Sequence, residues 1–134
     1  MGLGQAVIVA GIGCRRGTPA AAIAAVIEAA LARAGLAKEA LGIIATAAAK
    51  GGEPGIAATA SALGVPLVFV PPTDLEAAGA RTITRSERVV ALMGVPSVAE
   101  ASALAAGGTT ARLLAPRIAL GPATCALAAT GGTP

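Results

Sequence analysis

Gly11-Ile12-Gly13-Cys14-Arg15-Arg16-Gly17-Thr18 places two adjacent cations, a thiol, a hydroxyl and three glycines between an apolar run and an alanine-rich one. The chemistry such a stretch can do is anion binding. Glycines let the backbone come close to a ligand. A following helix N-terminus offers free N–H groups and the positive end of its dipole. Guanidinium forks match carboxylate or phosphate. The plainer alternative is a solvated loop in which the glycines make the turn and Arg15 and Arg16 are merely hydrated.

Two standard nucleotide-binding patterns do not fit. A dinucleotide fingerprint needs G-x-G-x-x-G with an acid near the tip of the second strand. Here the third glycine falls at Gly17 and the second strand runs into "TAAAKGG". A phosphate loop needs Gly-Lys-Ser/Thr, and no lysine precedes Thr18. The arginines and the helix terminus would lower the pKa of Cys14 and make it reactive. The competing account is a small residue chosen for packing.

"KGGEPG" at 50–55 follows the second predicted strand, so in a parallel sheet it shares an edge with the first loop. Lys50 then adds a third cation. Glu53 pairs with a cation, serves as an acid or base, or simply favours the start of its helix. Arg81, Arg85 and Arg88 extend a cationic rim or form a solvated face. Ser97 and Glu100 have capping-box spacing, which makes Glu100 a cap partner before it is a catalyst.

The elements that position these residues follow from hydrophobic pattern. "QAVIVAGI" at 5–12 reads as a strand buried on both faces. Residues 19–34 read as a helix capped by Thr18, with Pro19 at its first position and Gly35 at its end. Ile23, Val26, Ile27, Ala30 and Leu31 recur at helical spacing. Residues 40–47 form a second strand, Pro54 to Leu63 a helix stopped by Gly64, and 66–70 a third buried strand. Thr73 and Glu76 have capping-box spacing at the head of a helical turn, 73–79, and another turn falls at 86–93. "SVAEASALAAGG" is a further helix. Segments 110–115 and 118–128 are expected to pair as a hairpin around Pro116-Arg117, and the last five residues to fray. Alternating strands and helices predict a three-layer α/β/α domain over 1–134, with a mostly parallel, mixed sheet closed by a C-terminal hairpin.

Composition narrows the function. Hydrophobic residues make up 55% of the chain, with one Phe and no Trp or Tyr, so the core must come from Val, Ile and Leu between close-packed elements. The net charge of +3 is too mild for a nucleic-acid footprint, and base-stacking aromatics are missing. There is no histidine, which removes His-based acid/base catalysis, Cys/His and Ser/His pairs and most zinc sites. No metal or cofactor is expected. Two cysteines far apart form neither a disulfide framework nor a metal motif, which points to a reducing compartment, the cytoplasm. The N-terminus lacks the basic start of a signal peptide. The uncharged stretch from Pro54 to Thr73 is broken by Gly55, Gly64, Pro66, Pro71 and Pro72, so no membrane helix is expected.

Taken in order, "GIGCRRGT", K-x-x-E-P-G at 50–55, "LGVPL" at 63–67, S-x-x-V at 86–89, "MGVPSVAEASAL" at 93–104 and P-R-x-x-x-G-x-x-T at 116–124 resemble the cobalamin-biosynthesis family of CobE and the CbiG C-terminal domain. The resemblance spans nearly the whole chain and is closer to the stand-alone form. It implies work on precorrins, the modified tetrapyrroles of the aerobic route to vitamin B12, with other enzymes of that pathway as protein partners. By the same resemblance, Gly11, Gly13, Cys14, Arg15, Arg16, Gly17, Thr18, Lys50, Glu53, Ser86 and Ser97 are ligand-binding candidates. Two functions remain open: a non-catalytic precorrin binder or carrier, and a hydrolase-like enzyme on a precorrin lactone using Glu53 or Cys14. This chain has Gly51 and Gly52 where the family pattern suggests an acid beside Glu53, which weakens any acid-pair mechanism. An apolar cleft rimmed by arginines suits a macrocycle bearing acetate and propionate groups.

Overall fold

The computed structural model describes residues 7–50, 52–83 and 97–130. In chain order the elements are β1 (Val7–Cys14), α1 (Ala20–Arg33), β2 (Leu41–Ala47), α2 (Pro54–Leu63), β3 (Leu67–Val70), α3 (Pro72–Gly79), α4 (Val98–Gly107), β4 (Arg112–Leu113), β5 (Ile118–Leu120) and β6 (Ala123–Thr130). Single 3-10 turns, Lys38–Ala40 and Ala48–Lys50, flank β2. The predicted turn at 86–93 and the chain end at 131–134 lie outside the described residues.

The sheet is mixed, open and six-stranded, in the order β3-β2-β1-β6-β4, with β5 also paired to β6. β1, β2 and β3 are parallel; β6 runs antiparallel to β1, β4 and β5. Alternation along β1 serves two cores at once. Ile8, Ala10 and Ile12 pack with Ile23, Val26, Ile27 and Leu31 of α1 and Ile56 of α2. Val9 packs on the other face with Leu75 of α3 and Ala101, Ala103 and Leu104 of α4. Helices therefore cover both faces, and β1 is apolar throughout because it has no solvent side.

Small side chains set how close the layers come. A Cβ on Gly11 would lie 2.0 Å from the Ala99 carbonyl oxygen and 2.6 Å from the Ala103 nitrogen. Gly11 is thus the seat of α4 on β1. Residues 98–104 of α4 are all buried, so that helix is wrapped on every side. At α1 the five residues expected from helical spacing are the five buried ones. Its end follows the Schellman pattern, with Leu36 N–H bonded to Leu31 C=O at 2.9 Å. Gly64 closes α2 in the left-handed region, at φ 71°.

Several expectations need correction. Thr18 does not cap α1: the cap position is Pro19, with ψ 154°, and no side chain bonds the helix amides. The Thr18 hydroxyl donates to Arg15 C=O instead, at 2.6 Å. Thr73 does not cap α3, which begins at Pro72 with Pro71 before it. β3 is only partly buried, with Phe69 46% exposed, because it lies at one end of the strand order. The C-terminal hairpin turns at Gly121-Pro122 and joins β5 to β6. β4 and β5 pair with β6 one after the other and not with each other, so Pro116-Arg117 lies in the gap between two edge strands.

Candidate functional site

Parallel pairing of Ile12 with Thr46 aligns the carboxyl ends of β1 and β2. Two loops then leave the same sheet edge, Arg15–Pro19 toward α1 and Ala48–Glu53 toward α2. The helices start in contact: a Cβ on Gly55 would lie 2.3 Å from Thr18 C=O. Thr59 ties them further, its hydroxyl donating to Gly55 C=O and Ala20 C=O at 2.8 and 3.2 Å.

The first loop is held by bonds from several directions. Arg15 N–H donates to Pro122 C=O at 3.1 Å, and Thr18 N–H to Arg15 C=O at 3.2 Å. The Thr46 hydroxyl donates to Ile12 C=O at 2.9 Å and the Thr124 hydroxyl to Gly13 C=O at 3.2 Å, fixing the end of β1. Gly17 adopts φ 76°, where a side chain would be strained. Its N–H donates to Glu53 Oε1 at 2.8 Å, across 36 positions of sequence. Glu53 N–H in turn donates to Lys50 C=O at 3.1 Å. Of the roles open to Glu53, the structure shows an acceptor for the neighbouring loop; it does not cap α2 with its side chain.

Arg15 and Arg16 are exposed, and neither guanidinium makes a hydrogen bond or ion pair among the described residues. Cys14 is half-buried beside Thr18, Lys50 and Glu53. Burial pushes its thiol above the ordinary 9.0. The hydrogen bond with Thr18 and the Lys50 charge pull the other way and do not prevail. Desolvation thus outweighs the local positive charge at Cys14, which favours the packing account over activation.

The structure thus gathers Cys14, Arg15, Arg16, Gly17, Thr18, Lys50 and Glu53 at one edge, with Gly13 just beneath. Gly11 lies deeper in β1 against α4. Ser97 is fully buried; its Oγ accepts Glu100 N–H at 3.3 Å and caps α4. Arg81 does not join the rim. Its guanidinium donates to Ala111 C=O at 3.0 Å and Gly108 C=O at 3.5 Å, at the far end of α4. Ser86, Arg85 and Arg88 lie outside the described residues.

Sequence reasoning undervalued Glu100. It is 0% exposed, and its N–H makes the Ser97 half of the expected capping box. Its Oε1 accepts Ile83 N–H at 2.6 Å and its Oε2 accepts Arg117 N–H at 2.9 Å. One acid among the alanines of α4 was the available signal. Thr124 and Pro122, which hold the loop from the β5–β6 turn, belong to the P-R-x-x-x-G-x-x-T block.

Residues 8–128 match the family described as Cobalamin synthesis G C-terminus. Protein CobE from Sinorhizobium sp. is 42% identical over 121 residues, which cover 90% of this chain and 79% of that protein. The crystal structure of CobE, a protein from the cobalamin (vitamin B12) biosynthetic pathway, superposes with a TM-score of 0.88. It is 34% identical and covers 93% of this chain and 91% of its own. Cobalamin biosynthesis protein chiG from Agrobacterium tumefaciens gives 0.75 at 44% identity, over 92% and 98% of the two chains. By fold, pattern and identity the chain belongs to the CbiG C-terminal family of cobalamin biosynthesis proteins.

Proposed function

We propose that this protein binds or carries a precorrin-type tetrapyrrole polycarboxylate at the loop from Cys14 to Thr18, without transforming it. The observation that carries the reading is a pair of guanidinium groups, unpartnered among the described residues, on a loop whose backbone is already fixed. Among the described residues the Arg15 and Arg16 guanidinium groups have no partner, which leaves them for carboxylates, while the N–H groups of Arg15 and Thr18 hold the loop's shape through main-chain carbonyls. Preorganisation lowers the entropic cost of recognition. Lys50, half-buried alongside, adds positive potential.

A hydrolytic role finds less support in the same groups. The Cys14 thiol is harder to ionise than usual, Glu53 is engaged by Gly17, and the chain has no histidine to relay a proton.

Titration with hydrogenobyrinic acid, followed in the ligand's visible spectrum, tests this reading. A saturable shift without a new product on chromatography is expected. The double variant Arg15→Ala/Arg16→Ala should bind at least about tenfold more weakly, since charged hydrogen bonds are worth about 1.5–3 kcal/mol each. Unchanged affinity in the double variant would move the site elsewhere, and a new product would make the protein an enzyme.

A further inference from the structure

We infer that Glu53 is a built-in competitor at the anion site: its carboxylate occupies a backbone donor that a ligand carboxylate would otherwise take. The inference rests on the loop being an anion site. Three amides of the loop have known partners, and they differ in kind. Arg15 N–H and Thr18 N–H are bonded to main-chain carbonyls, which the fold fixes in place. Gly17 N–H is bonded to a side chain from another element, at 2.8 Å. A side chain can rotate away, so this donor is the exchangeable one.

Access and charge agree with exchange. The Gly17–Glu53 bond is exposed, and nothing lies within 4 Å of where a Cβ on Gly17 would stand. Glu53 lies close enough to Cys14 to act on its thiol with a sign opposite to that of Lys50. In the empty protein Glu53 therefore offsets part of the positive field of Arg15, Arg16 and Lys50. An arriving carboxylate gains only the difference between its own bonds and those it replaces. Such a site holds a polyacid yet releases it readily, as a carrier must.

Glu53→Gln removes the charge and keeps the shape; Glu53→Ala removes the acceptor as well. Both are titrated with hydrogenobyrinic acid beside the unaltered protein, with thermal melting as the check on folding. Both variants should bind about fivefold more tightly, the scale of one exposed charge interaction of about 1 kcal/mol. Affinity equal to or below that of the unaltered protein overturns the competitor and makes Glu53 a fastener; the loop reading then still stands or falls by the arginine pair. Binding by the variants alone supports a stronger competitor. Absence of binding in every form overturns both readings, and loss of folding in both variants overturns the competitor.

Discussion

Two carboxylates in this molecule do the same job in opposite surroundings. Glu53, at the sheet's rim, is partly exposed and accepts one backbone amide, that of Gly17. Glu100, in the interior, is 0% exposed and among the described residues accepts the amides of Ile83 and Arg117, from segments lying 17 residues before it and 17 after it. The two cysteines divide the same way. Cys14 is half-buried beside the rim cluster, whereas Cys125 is buried in the core and its thiol is pushed up to about 12. Water decides what each residue type becomes. A carboxylate that water can replace is exchangeable; one that water cannot reach is part of the frame.

The largest expected effect lies at Glu100. An acceptor-only group suits a position met by converging N–H donors near the N-terminus of α4. Glu100→Ala leaves the Ile83 and Arg117 amides without that acceptor, at about 1–3 kcal/mol each, so urea unfolding should show a loss of about 4 kcal/mol. Glu100→Gln offers one carbonyl but turns an N–H toward a donor, and should lose about half as much. A loss below about 1 kcal/mol in Glu100→Ala would erase the distinction between frame and rim.

A smaller contrast lies in the thiols. Burial raises Cys125 from 9.0 to about 12, so the folded state holds its proton where the unfolded chain has released it. This contribution is fully present below pH 9 and is lost as pH rises toward 12. One such proton gives a slope of at most about 1.4 kcal/mol per pH unit. Between about pH 8 and pH 10 the protein should therefore lose about 1.4 kcal/mol more stability than Cys125→Ala loses, measured by urea unfolding at both pH values. Equal losses would show that the Cys125 proton is not the cause.

Local pattern predicted what local forces decide. The apolar run of β1, the buried stripe of α1 and the Gly64 stop of α2 need only hydrophobic spacing and backbone preference, and they stand as read. Contacts between distant segments were not readable. Gly11 looked like a close approach to a ligand and is a close approach to α4. The 36-residue link from Gly17 to Glu53 has no local signature. Thr18 and Thr73 looked like caps, but the prolines beside them take the cap positions, and the Thr18 hydroxyl turns back to Arg15. Pro116-Arg117 looked like a hairpin turn because, in sequence, a break between two short strands that share one partner reads the same as a turn between two strands that pair. At Cys14 sequence left both activation and packing open, because charge is visible there and burial is not.

The smallest effect should be at the rim, and its smallness matters. Gly17 N–H is exposed, so water can take the place of Glu53 Oε1 at little cost. Glu53→Gln should change unfolding free energy by less than about 0.5 kcal/mol, the ordinary range for surface substitutions. Amide exchange should show the same ranking, with Gly17 faster in Glu53→Gln and Arg15, bonded to Pro122, unchanged. A loss of several kcal/mol would place Glu53 in the frame beside Glu100. A group that the fold requires could not step aside for a ligand, so stability at this one residue bears directly on how the loop works.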